Sequence, residues 1–243
     1  MLFAGILIAE LLILFFLALR VTQAIFEFFL LLFRSRTVAV TIVLLLEFPG
    51  TVVHELAHLF TAEILRVPTG KMNLVPETIR GNEITSGSVM IGSSGPFRRY
   101  AIGLAPLFAG ILILTSLSYF LPSLYTSVIH SIVPRYTNPD FYWLLLTSYC
   151  LFVLSITMFP SPADVKGILP FAGVVTIFVL GAFFLGLRLT LSGWVLDGAL
   201  TILMTLTKSL GLVIVFNVAI LIVMHLMTTI LSKLTRSRLY KQT

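Results

Sequence analysis

The chain has 243 residues, 58% of them hydrophobic and 11% charged, with a net charge of +6 and a mean hydropathy of +1.07. Soluble domains carry about 25% charged residues, so this composition excludes a water-soluble enzyme and predicts an integral, multi-pass membrane protein built as one domain, 1–243. The lone cysteine, Cys150, excludes a disulfide framework, and the basic residues gather at the ends of apolar runs, as topology signals do, which argues against a nucleic-acid partner.

Apolar runs long enough to cross a bilayer occur at 2–33, 37–66, 98–120, 141–160, 168–187 and 210–232. The first lacks a basic leader and a small-residue cleavage site, so it reads as a retained span. Arg20 in its middle leaves open one tilted helix or two shorter pieces. The stretch 191–210, "LSGWVLDGALTILMTLTKSL", is interrupted by Gly and Asp and reads as re-entrant or interfacial. Between the second and third spans, residues 67–97 alternate short β-rich pieces with Gly, Asn and Pro, predicting a small β-hairpin or sheet at the membrane face. The expected fold is therefore an all-α polytopic membrane protein of about six transmembrane helices with that β-rich insertion. Counting crossings puts Arg66, Arg98, Arg99, Lys166 and the basic tail on one side, which the positive-inside rule makes cytoplasmic.

The second span carries "HELAH", residues 54–58. His54 and His58 are one helical turn apart on one face, a spacing that lets two imidazoles share a zinc ion. Glu55 beside them is placed as a general base. Ionisable groups inside a span are costly, so they mark function in the first instance. The bland alternative is a set of polar side chains hydrogen-bonded between helices.

A zinc site of this type needs a third protein ligand. The other histidines are His130 and His225, and no glutamate follows Glu83, which leaves Asp140, Asp164 and Asp197. Asp164, in "FPSPADVKG", returns to the side on which the His54–His58 helix ends, and Pro160 and Pro162 can hold an extended turn there. It is the preferred ligand. Asp140 and Asp197 fall toward the opposite face, with Asp197 kept as the alternative. Asp164 as a plain turn carboxylate is the competing reading. Glu47 lies seven residues before His54, either orienting a ligand or bonding a neighbouring helix. Pro49 and Gly50 can kink the helix between them. His225 and Asn217 read as a polar contact face in the last span, and Gly103, Ala105, Ala109 and Gly110 as a stripe for close helix approach.

"HELAH", the β-rich segment, "SGPFRRYAIGLAPLFAG" and "FPSPAD" follow one another across 37–167 in an order that resembles the site-2 protease family of intramembrane zinc metalloproteases. The resemblance implies a metalloprotease core at 37–167, one Zn²⁺ per chain held by His54, His58 and Asp164, Glu55 as catalytic base, and substrates that are transmembrane segments of other membrane proteins or peptides. The chain departs from the family pattern at Thr157, where Asn is usual, and at Val165, where Gly is usual. Asp197-Gly198 imitates that missing pair. Two other function classes stand beside this one: an inactive relative that binds membrane partners, and a transporter, which would show paired broken helices in two repeated halves.

Overall fold

The computed structural model describes residues 2–73, 79–80, 83–84, 88–92, 95–131, 137–161, 164, 173, 176–178, 181, 184 and 193–235. The protein is an all-α polytopic membrane protein. Five described helices are long and apolar enough to span a bilayer: α1 (Leu2–Phe33), α2 (Arg36–Ile64), α3 (Pro96–His130), α4 (Pro139–Thr157) and α5 (Trp194–Thr235). Large apolar side chains point outward along all of them, Phe16, Leu45, Phe108 and Tyr142 among them. In water that surface would be prohibitive, whereas in lipid it is the ordinary arrangement.

Local chemistry sets the helix ends. Ser35 caps α2 by accepting from the Val38 N–H. Asn138 does the same for α4 through the Asp140 N–H at 2.9 Å, with Pro139 in the first turn. At the other end of α2, Arg66 takes the left-handed conformation, φ 55°. The Arg66 and Val67 N–H groups donate back to the carbonyls of Glu63 and Ala62 at 2.9 and 2.8 Å. This is a Schellman stop, and its apolar contact is present: Ala62 and Val67 are buried together with Ile102 of α3.

Among the described residues of 67–97 there are four short strands: β1 (Thr69–Asn73), β2 (Ile79–Arg80), β3 (Glu83–Ile84) and β4 (Ser88–Ile91). β1 pairs antiparallel with β4 and β2 with β3, giving two small two-stranded ladders. The ribbon closes where the Gly92 N–H donates to the Pro68 carbonyl at 2.8 Å.

Helix α4 lies at the centre, in contact with α1, α2, α3 and α5, while α1 and α5 pack along each other. One apolar core joins Leu14, Leu114, Leu151, Leu154, Met158, Leu210 and Val213. A second joins Leu17, Val21, Ile25 and Val43.

Of the two arrangements left open for the first span, the single helix is the one found, with the Arg20 side chain exposed. Two expectations need revision. The stretch 191–210 is not re-entrant: from Trp194 it is the beginning of α5, a continuous helix of 42 residues, about 63 Å long. Asp197 sits in its first turn, where a carboxylate suits the exposed N–H groups. Thr201 and Thr205 return their hydroxyls to carbonyls one turn back, so the Gly and Asp that looked like breakers do not break it. The third span runs on past 120 to His130, with Pro106 and Pro122 inside it. The predicted span at 168–187 lies largely outside the described residues; Gly173, Thr176, Ile177, Phe178, Gly181 and Phe184 are helical.

Candidate metal centre

His54, Glu55 and His58 stand on the inner side of α2, next to the end of α4 and the beginning of α3. Glu55 and His58 are buried, at 4% and 3% exposure. Each ring has one nitrogen already committed. His54 Nδ1 faces the Thr157 carbonyl of α4 at 2.7 Å, and His58 Nδ1 faces the Ile102 carbonyl of α3 at 2.8 Å. A carbonyl oxygen only accepts, so both Nδ1 atoms carry hydrogen. Both Nε2 atoms of the neutral rings are then bare lone pairs, and they approach each other to 3.2 Å. No hydrogen bond joins two acceptors, so this contact is repulsive unless something positive sits between the rings.

Asp164 completes the group. Its Oδ1 lies 3.4 Å from His58 Nε2 and its Oδ2 lies 3.7 Å from His54 Nε2. A proton can bridge one of these pairs, whereas a cation at the centre meets all three. Tetrahedral zinc with arms of about 2.0–2.1 Å sets its ligand atoms about 3.3 Å apart. The observed separations, 3.2 Å between the rings, 3.4 Å from His58 Nε2 to Oδ1 and 3.7 Å from His54 Nε2 to Oδ2, lie around that value, with the carboxylate facing the two rings through different oxygens. Two imidazoles and one carboxylate, with both rings oriented by carbonyls behind them, fit a divalent ion with an open fourth position.

The carboxylate is held by its own turn. Ser161 donates to Asp164 Oδ2 from its N–H at 2.8 Å and from its hydroxyl at 2.6 Å, and the Asp164 N–H donates to the Ser161 carbonyl at 3.0 Å. Burial pushes the Asp164 carboxyl up. When the rings are charged, they and the Ser161 donors outweigh it and hold the group well below the usual carboxylate range.

The neighbouring helices come close because the chain carries glycine where they touch. A Cβ on Gly50 would strike the Thr157 hydroxyl and lie 2.5 Å from Val153, so Gly50 lets α4 reach His54. A Cβ on Gly103 would strike the Asp164 carbonyl, and one on Gly110 would strike the Met158 side chain.

The expected ligands His54, His58 and Asp164 are brought together, and they are the one described group of His, Cys, Asp and Glu side chains arranged to hold a metal ion. Asp197 is exposed in the first turn of α5 and Asp140 lies against Ser127 at the far end of α3, so neither joins it. Glu47 accepts a hydrogen bond from Thr22 of α1 at 2.9 Å. The rings are oriented by main-chain carbonyls instead, so Glu47 takes the interhelical role. His225 is exposed on α5, and the polar contact expected near it is made by Asn217 alone, which donates to Ser155 of α4 at 2.8 Å. Sequence reasoning missed Ile102 and Thr157, which act through carbonyls that every residue possesses. It also missed Ser161, although a serine three residues before an aspartate is a readable turn signal.

Compared with protein families, curated proteins and solved structures, the chain matches none of them.

Proposed function

We propose that the protein is an intramembrane zinc metalloprotease, similar to the site-2 proteases, that cleaves peptide bonds in or near transmembrane segments of membrane proteins. The observation that carries this reading is the meeting of two carbonyl-oriented imidazoles and one anchored carboxylate at 3.2–3.7 Å, with the buried Glu55 next to the first ring. The same donor set also serves iron(II). Glu55 favours hydrolysis over oxygen chemistry, because an adjacent buried base has a use only where a proton must be moved.

His54, His58 and Asp164 would hold the ion, which when bound supplies an activated water and a polarised substrate carbonyl. Glu55 would take the proton from the attacking water and return it to the leaving amine. Its carboxylate interacts electrostatically with both rings and with Asp164, so it acts inside the field of the centre. The rings need no reorientation during turnover, since Thr157 and Ile102 fix them from behind. Exclusion of bulk water falls to α3 and α4, which the glycines at 50, 103 and 110 admit close to α2 and the Asp164 turn.

A peptide bond within a helix is shielded by its own hydrogen bonds, so the substrate must unwind to reach the centre. The ribbon at 67–97 offers strand edges that could receive an extended segment. The exposed Arg66, Arg98 and Arg99 flank that ribbon, which favours a centre opening toward the cytoplasmic side. The test is the Glu55→Gln variant, purified as the full chain and assayed against a transmembrane peptide. It should retain one zinc per chain and lose cleavage. A chain without metal, or cleavage that survives the substitution, breaks the reading.

A further inference from the structure

Two ligands of the centre, His58 and Asp164, are far apart in the chain and belong to different elements, yet both rest on the same step of α3. The Ile102 carbonyl receives His58 Nδ1 at 2.8 Å. At the next residue the missing side chain of Gly103 leaves room for the Asp164 carbonyl. That obstacle is a backbone atom, which cannot rotate away as a side chain can. The step is itself fixed lengthwise: the Ile102 side chain is fully buried against Ala62 and Val67, the two residues of the Schellman stop that ends α2. The stop of α2 thus sets the height of Ile102, Ile102 sets the His58 ring, and Gly103 sets the Asp164 turn.

We infer that Gly103 is a positioning residue for the third ligand: its bare Cα determines whether the Asp164 turn closes to ligand distance from His54 and His58. The inference rests on the metal-centre reading above and adds to it the residue that controls closure. An alanine at 103 displaces the Asp164 carbonyl, and the carboxylate moves with its backbone because Ser161 ties the turn together. The two rings stay in place, since their Nδ1 partners do not depend on the side chain at 103. The centre then changes from three protein ligands toward two.

The experiment is a double-mutant cycle on metal affinity in the purified full chain, using Zn²⁺ with a competing chelator and Co²⁺ as a spectroscopic probe. Gly103→Ala alone should weaken Zn²⁺ binding by about ten-fold or more, the range for partners that orient ligands. Its Co²⁺ spectrum should move toward that of Asp164→Ala. In the Asp164→Ala background the same substitution should cost nothing further. Equal affinity in Gly103→Ala and wild type, or the same loss with and without Asp164, overturns the inference while leaving the metal centre standing. A wild-type chain that takes up no metal overturns both. If Gly103→Ala is not recovered folded, Ile102→Ala replaces it, loosening the same step against Ala62 and Val67. Because the Ile102 carbonyl also aims His58, part of its loss should persist in the Asp164→Ala background, and the loss should be larger with Asp164 present; a loss of equal size in both backgrounds overturns the inference.

Discussion

The two halves of the candidate metal centre are built on opposite principles. His54 and His58 stand on a continuous helix, so their spacing is set by the helical repeat and each ring needs one carbonyl from a neighbouring helix to aim it. Asp164 stands on a turn beyond the end of α4, and its direction comes from Ser161 in the same turn and from the surface of α3 at Gly103. Helix geometry thus supplies spacing at no extra cost, whereas a ligand on a turn has to be anchored twice, locally and across the bundle. The sharpest way to break this comparison is to remove one ligand from each half. Asp164→Ala and His58→Ala should each lose bound zinc during gel filtration, read by metal analysis, while the two remaining ligands still bind when metal is added in excess. If Asp164→Ala binds as the wild type does, the turn is a plain structural turn and the comparison fails.

Glu55→Gln comes next in size and separates holding the metal from using it. Loss of a general base costs about 10²- to 10⁴-fold in rate, so cleavage should fall by that factor with zinc content unchanged. Acid distinguishes the halves as well. The Asp164 carboxyl is depressed, so its contribution is complete above the ordinary carboxylate range and is lost only as pH falls through its lowered value. Imidazoles ligate only when neutral. As pH falls, metal should therefore leave while the Asp164 carboxyl is still ionised, read from its carboxyl band by infrared difference spectroscopy. A protonated Asp164 appearing together with metal release would show that the turn holds the carboxylate less firmly than the geometry implies.

The contrast also explains what the sequence disclosed. The α2 half was legible because a fixed period converts spacing into geometry, and charged residues stand out in an apolar run. The acid was reachable by elimination, since so few acids follow the motif. What lay hidden was what aims the ligands. Carbonyls of Ile102 and Thr157 leave no trace in residue type. Gly50 and Gly103 look like any small residues in a membrane helix until their neighbours are known. The long continuous α5 was hidden for a related reason: Asp197 and Gly198 look like breakers, yet at a helix start an acid is favourable.

Ser161→Ala probes the local anchor of the turn. It removes the hydroxyl at 2.6 Å but keeps the N–H at 2.8 Å, so zinc affinity should fall at the lower end of the 10- to 100-fold range for orienting partners. Chelator competition gives the value. A larger loss than that of Gly103→Ala would make the local anchor the dominant one and reverse the relative weight given to α3.

The smallest expected effect tests a residue that looked functional in the sequence. Glu47 is an acid seven residues from His54, and an orienting role for it would make any substitution weaken the metal site. Its bond comes instead from Thr22 of α1, and both ring Nδ1 atoms are occupied by carbonyls. Thr22→Val should therefore cost about 0.6 kcal/mol of stability, the average for a hydrogen bond between membrane helices, measured by denaturation in mixed detergent micelles. Zinc affinity should not change in Thr22→Val or in Glu47→Gln, which keeps an acceptor oxygen for the threonine. Weakened zinc binding in Glu47→Gln would connect the acid to the rings by a route that bypasses the carbonyls, and the helical half would then need an anchor of its own, like the turn.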